Sequence, residues 1–296
     1  MEISNRQNRK YGIFLVLTAG ISWGILGIFV RMLVSCGLTP VDICAMRSSG
    51  TALIIAVISL IFFRETYRIK LRDLWCMAGC GILSITVFNI CYFAAIRHTT
   101  MNIAVVLLYP SPAFVMLMSR FCFKEKFSLL KILSLISVLA GCVLVSGAFS
   151  SGGRLSPRIL LLGLGAGFCY ALYTIFGRFA QQKGYGSIAI ILWTFIFAGS
   201  AGVFMLDWSN VCRAALNSSG QFMIAVTALI LLTTILPYWS YTAGLKRLTP
   251  SSSAIAATVE PLVSTLIGVV LYGEILTAGA VAGMVLILGA VLLCRK

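Results

Sequence analysis

Charge is what this chain has least of. Only 10% of its 296 residues are Asp, Glu, Lys or Arg, whereas 60% are hydrophobic. Soluble proteins carry roughly 25% charged residues, so a water-covered globule is excluded. Histidine is almost absent: His98 stands alone, and none of the ten cysteines falls in a C-x-x-C pair. A Cys/His zinc set cannot be assembled, and the cysteines read as small buried hydrophobes rather than disulfides or metal ligands. There is no Walker loop, so ATP does not drive the protein directly, and no other cofactor is implied. One histidine without an acid pair or metal set makes hydrolysis or acyl transfer hard to build. Apolar runs are separated by at most about ten to fifteen residues, which leaves no room for a soluble catalytic or nucleic-acid-binding domain.

What is there is a series of long apolar runs, near 12–33, 41–63, 73–95, 101–121, 129–147, 158–180, 186–206, 220–245, 250–271 and 277–294. Each matches the ~20 residues of one helical crossing. Continuous runs without period-2 alternation favour helices over a β-barrel. The expected fold class is therefore an all-α membrane protein with ten transmembrane helices. The first run follows Arg6, Arg9 and Lys10; it is too long for a signal h-region and lacks a small-x-small exit, so it reads as a membrane helix. Thr39-Pro40 and Thr249-Pro250 supply a cap and a first-turn proline, while Ser150–Gly153 and Ser156-Pro157 form the loosest connection.

The net charge of +15 resides in the short loops, where it sets orientation and meets anionic lipid headgroups rather than nucleic acid. With the N-terminus in the cytoplasm, 17 Lys and Arg fall on the cytoplasmic side. Five fall outside (Arg31, Arg97, Arg154, Arg158 and Arg213), and Arg47 alone sits mid-segment. This predicts a multi-pass protein of the cell (plasma or inner) membrane with both termini cytoplasmic.

The chain also resembles itself. A shift of 149 brings Tyr92 onto Tyr241, Thr100 onto Thr249, Pro112 onto Pro261 and Glu125 onto Glu274 without a gap. A shift of 147 brings Gly20-Ile-Ser-Trp23 onto Gly167-Phe-Cys-Tyr170. Residues 1–149 and 150–296 then form two repeats of five crossings each. Five is odd, so the halves enter from opposite sides as inverted repeats, the usual basis of alternating access around a midplane site.

Several residues stand out as carriers of chemistry. Glu260 is an acid in mid-segment, and a carboxylate in lipid costs at least ~2–3 kcal/mol, so it must face a polar cavity and be paired or protonated. It reads either as a substrate-amine contact or proton carrier, or as a structural carboxylate bonded to Thr258 or Ser264. Arg47 lies about seven residues into its segment, roughly 10 Å deep. It either grips a substrate anion bidentately or pairs with Asp42 or backbone carbonyls. Trp23, Tyr92, Tyr109, Tyr170 and Tyr238, with the polar Asn89, form a set suited to lining a cavity for mixed apolar and polar solutes, or to ordinary packing. Glu125 and Glu274 precede Ser128 and Thr277, the expected helix caps, and read as structural charges at helix starts. Gly20-x-x-x-Gly24 and Gly163-x-x-x-Gly167 permit close helix approach.

With Trp23-Gly24, Arg47 after the Pro40 turn, Glu260-Pro261, Gly273-Glu274 and its echo Lys124-Glu125 in this order, the whole chain resembles the EamA-like family of the drug/metabolite transporter superfamily. The resemblance implies a ten-helix basket with cytoplasmic termini and export of amino acids, drugs or related metabolites. Ser111-Pro112 departs from the pattern by replacing the acid-proline pair in the first half. The expected function is a secondary transporter exporting or exchanging small metabolites. Its partners are a small-molecule substrate, the lipid bilayer and protons, and a homodimer stays open. The alternatives are a sugar-nucleotide or organophosphate exchanger, which needs several interior cations, or a membrane enzyme or lipid scramblase. The charge asymmetry predicts that reporters fused after Lys296 and within residues 64–72 are cytoplasmic and that one at Gly152-Gly153 is external. A cytoplasmic reading at Gly152 would overturn the five-plus-five arrangement.

Overall fold

The computed structural model describes residues 2–98, 101–146 and 156–293, with the side chains of all of these except 2–6 and 101–102. The 149/150 boundary, the 150–153 linker, Thr100, Arg154, Cys294 and the terminal Arg295-Lys296 lie outside the described residues.

Among the described residues there is no strand. The helices are α1 (Gln7–Ser35), α2 (Pro40–Phe62), α3 (Leu71–His98), α4 (Ile103–Phe123), α5 (Leu129–Ser146), α6 (Pro157–Gln182), α7 (Ser187–Val203), α8 (Trp208–Asn217), α9 (Ser219–Leu245), α10 (Pro250–Tyr272) and α11 (Ala278–Leu293). Eight of them, all but α7, α8 and α11, are long and apolar enough to cross a membrane, and α7 with α8 makes a ninth candidate bent by 96°. Helices satisfy their backbone groups internally, which hydrocarbon requires. Large side chains such as Leu53, Phe62, Phe121, Leu161 and Val270 point outward and are exposed, as a lipid-facing surface demands.

Helix α8 has no counterpart in the apolar runs. It forms because the Asp207 carboxylate accepts the N–H groups of Ser209 and Asn210, at 3.1 and 3.2 Å. The Asp42 carboxylate in turn accepts from the Asp207 N–H at 3.2 Å and the Asn210 side chain at 2.9 Å, which fixes the α7–α8 corner to the start of α2. The expected caps are present elsewhere. Thr39 and Asp42 form a capping box for α2, while Ser128 and Thr277 accept the N–H groups of Lys131 and Ala280.

Two helix breaks organise the interior. In α4 the helix opens at Tyr109-Pro110, and in α10 it opens at Thr258. Pro112 cannot donate to the Leu108 carbonyl, and Pro261 cannot donate to that of Ala257. Each freed carbonyl faces a glycine of the other half. A Cβ placed on Gly167 would lie 3.0 Å from the Leu108 oxygen, and one on Gly20 would lie 2.8 Å from the Ala257 oxygen. Helix α6 therefore packs on the break in α4, and α1 on the break in α10, at positions 147 and 149 residues apart. The same 149-residue relation recurs in two further features. Turns of π type occupy Gly79–Val87 in α3 and Leu231–Ile235 in α9. Left-handed residues end α4 at Lys124 (φ 54°) and α10 at Gly273 (φ 65°).

Polar contacts at the helix ends fall into two sets. One joins residues 66–73, 125–131, 178–185 and 242–251, through pairs such as Asp73–Lys183 and Glu125–Ser251. The other joins 31–42, 207–221 and 274, through Arg31–Glu274 and Gln221–Ser35. The loops of the first set are those the basic-residue count assigns to the cytoplasm.

The glycine seats generate a direct test. Gly20→Val and Gly167→Val place methyl groups against backbone that cannot yield, so each should destabilise the detergent-solubilised protein by roughly 1–3 kcal/mol, as overpacking does. Gly27→Ala should keep or raise the melting temperature, because nothing lies within 4 Å of its Cβ position and alanine is the better helix former. Equal melting of all three variants would contradict the seating.

Candidate functional site

Contacts join the predicted site residues in two groups, Tyr92 with Tyr170 and Glu260 through Phe88, and Trp23 with Tyr238, whereas Tyr109 packs in the cluster that holds Val138 and Leu135. Pro261 opens α10 beside Glu260, and the Tyr170 hydroxyl on α6 donates a long hydrogen bond of 3.5 Å to the Glu260 carboxylate. Phe88 stacks on Tyr92, with centroids 5.6 Å apart, and also touches Tyr170 at 5.6 Å. Trp23 meets Tyr238 edge-on at 5.5 Å. Tyr92, Tyr109 and Tyr238 all feel the Glu260 charge through space. Asn89, just past the π turn of α3, donates to the Ile85 carbonyl at 2.8 Å and accepts from the Cys44 thiol at 3.5 Å. Glu260 and the aromatic set lie within the spans and are partly buried.

Arg47 lies on α2, 8% exposed, and its charge acts on Glu260 and Tyr238. No salt bridge joins it to Glu260, and the four ion pairs of the described residues lie elsewhere. Its Nε is buried without a hydrogen-bond partner among the described residues. The expected alternative of pairing with Asp42 is not what the structure holds, since Asp42 is taken up by Thr39, Asp207 and Asn210. The structural alternative for Glu260 also differs, because its partner is Tyr170 rather than Thr258, whose hydroxyl donates to Ile255. Arg47 and Glu260 therefore both stand in the interior with no ion pair between them.

The site residues occupy matched positions of the two halves: Trp23 with Tyr170, Asn89 with Tyr238, and Ser111 with Glu260. Position is shared and chemistry is not, so the second half carries the acid and two phenols. A second polar layer, outside the candidate site set, lies between α6 and α9. There Tyr173 pairs with Thr242 at 2.7 Å and Thr174 with Tyr241 at 2.6 Å. The match of Tyr241 to Tyr92 was the signal that pointed to it.

A cavity of about 490 Å³ opens at the other end of the bundle, lined by Thr39, Asp42, Phe93, Arg97, Met205 and Asp207 among others. A void of about 20 Å³ adjoins it, sharing Val41, Phe93 and Met205, and reaches Cys44 and Asn89. Glu125 and Glu274 do not guard the starts of α5 and α11 as expected. Glu125 instead binds Lys131 and the first turn of α10, and Glu274 binds Arg31. Burial pushes the Glu125 carboxyl upward, but hydrogen bonds from Lys131, Thr249 and Ser119 and the Lys131 charge outweigh it and hold the group below its usual range.

A bundle of apolar helices around an interior carboxylate, guanidinium and phenols defines a multi-pass membrane transporter. The chain belongs to the EamA-like transporter family, whose sequence profile matches residues 10–147 and again 157–295. An uncharacterized transporter of Archaeoglobus fulgidus is 26% identical over 290 residues, covering 97% of this chain and 99% of its own. The uncharacterized transporter YdfC of Bacillus subtilis is 25% identical over 259 residues, 86% of this chain and 81% of its own. The uncharacterized inner membrane transporter YicL of Salmonella typhimurium is 22% identical over 289 residues, covering 96% and 95%. A solved crystal structure superposes with a TM-score of 0.77 over 95% of both chains at 19% identity, a likeness of fold. These relatives are named as transporters rather than enzymes.

Proposed function

We propose that the protein is a secondary carrier for small zwitterionic metabolites of the amino-acid type, exported by alternating access across the cell membrane. The observation that carries this reading is that Arg47 and Glu260, interior residues of opposite charge type, form no ion pair with each other or with another described residue, and that the buried Arg47 Nε has no hydrogen-bond partner among them. A charge in hydrocarbon requires a partner. A solute with a carboxylate for Arg47 and an ammonium for Glu260 supplies both at once, and the Trp23, Tyr170 and Tyr238 rings suit its apolar part. Once the solute leaves, a proton on Glu260 neutralises the carboxylate, which makes this residue the coupling group. An exchanger of sugar nucleotides or organophosphates is disfavoured, because Arg47 is the one cation in the middle of a span among the described residues.

Ten crossings in two inverted five-helix halves, with both termini cytoplasmic, complete the reading. The matched breaks, left-handed ends and reciprocal glycine seats support two equivalent halves. The two sets of end contacts support an alternating helix direction. On this orientation the 490 Å³ cavity faces outward and the solute route runs from it past Asn89.

The test is thermal shift of the detergent-solubilised protein against free α-amino acids. The carboxamide and N-acetyl forms of the best stabiliser are then compared with it. At about 100 times Kd, binding adds ~2.7 kcal/mol of stability. The free amino acid should raise the melting temperature and each blocked form should lose the shift. Arg47→Lys should weaken apparent affinity, because a point charge replaces a bidentate fork. Equal shifts from blocked and free forms would overturn the zwitterion reading.

A further inference from the structure

The carboxylate of Glu125 is a connection between the two halves rather than a local cap. It lies in the loop between α4 and α5, 9% exposed, and its Oε1 accepts the Lys131 ammonium at 2.6 Å. Its Oε2 accepts the Ser251 hydroxyl at 3.0 Å and the Ser251 N–H at 3.4 Å, in the first turn of α10. Lys131 also donates to Thr249 at 3.3 Å, and the Ser119 hydroxyl on α4 meets that of Ser251 at 3.1 Å. The cytoplasmic end of one broken helix is thereby tied to the start of the other, and the carboxylate meets the positive end of the α10 dipole.

The repeat counterpart, 149 residues on, is built alike and engaged differently. The left-handed Gly273 matches Lys124, and the Glu274 N–H donates to Gly268 at 3.1 Å as the Glu125 N–H donates to Ser119 at 3.3 Å. The Glu274 carboxylate folds over Gly268, as that of Glu125 does over Ser119. Yet Glu274 holds no helix start of the other half. Its 2.8 Å partner is Arg31, which lies over the Tyr272 ring at 3.9 Å, and both members of the pair are about half exposed. Both matched glutamates join the halves, Glu125 through a buried contact to the first turn of α10 and Glu274 through a half-exposed ion pair to Arg31 on α1 at the opposite face.

We propose that Glu125 is the latch that closes the cytoplasmic face by tying α4 to the start of α10, and that Glu274 is its counterpart at the opposite face, engaged here only in a half-exposed pair with Arg31 and not with a helix start. The proposal rests on the alternating-access reading. Opening of the cytoplasmic face then requires Glu125 to leave Ser251, and the binding energy of that contact sets the balance between the two faces.

Amide hydrogen exchange of the full chain in lipid nanodiscs tests this, with Ser251→Ala and Glu125→Gln compared with the wild type. Loss of hydrogen bonds to a carboxylate should speed exchange in the first turn of α10 by about tenfold. Because one face closes as the other opens, exchange at residues 207–210 on the far cavity rim should slow in the same variants. Ser251→Ala keeps the Glu125–Lys131 pair, so it preserves folding if Glu125→Gln does not. Faster exchange in α10 with no change at the far rim would make Glu125 a local cap and overturn the latch. No change at either place would overturn it too. Solute exchange by the same variants in proteoliposomes separates the two readings: persistent exchange with a purely local response sinks the latch and leaves the carrier standing.

Discussion

The interior depends on one repeated contact, a carbonyl freed by proline and seated against a glycine of the other half. Pro112 frees the Leu108 carbonyl toward Gly167, and Pro261 frees the Ala257 carbonyl toward Gly20. Hydrocarbon does not tolerate an unsatisfied carbonyl at a lipid-facing surface. Close approach of another backbone shields it and permits weak Cα–H contacts. The contact fixes α1 to α10 and α6 to α4, so each half is completed by a helix of the other. It also sets Ser111 and Glu260 one position before the two prolines, at the point where the halves meet.

On this matched frame the chemistry is asymmetric. Trp23 answers Tyr170, Asn89 answers Tyr238, and neutral Ser111 answers Glu260. Among the described residues one cation and one acid lie in the middle of spans, Arg47 on α2 and Glu260 on α10. The helix ends repeat the theme. Glu125 is buried and ties α5 to α10, whereas Glu274 links the end of α10 to α1 through a half-exposed pair with Arg31. A pair of equivalent halves in unequal states is what a two-faced carrier requires.

Much of this was legible in the sequence, because membrane burial imposes long apolar runs and prolines punctuate them. The run boundaries fall within a few residues of the helices, and the 149-residue register predicted the matched breaks. Helix α8 was not legible: it carries no apolar run and owes its start to the Asp207 cap and its anchorage to Asp42, a residue 165 positions away. Partner choice was equally hidden. Asp42 turns toward Asp207 rather than Arg47, and Glu125 reaches the first turn of α10 as well as Lys131 of α5, through contacts that link residues distant in the chain. The candidate site residues, by contrast, stand out through polarity within apolar runs, which carries its own energetic penalty and so its own signal.

The central claim is that Glu260 couples solute to protons in a carrier. Counterflow in proteoliposomes tests it most directly, with an amino-acid mixture inside, labelled solute outside and a pH gradient imposed. The account predicts that wild-type protein accumulates the label chemically unchanged and faster with the gradient. Glu260→Gln, folded and inserted, should lose the response to the gradient. Wild-type rates and an unchanged pH profile for Glu260→Gln would contradict it.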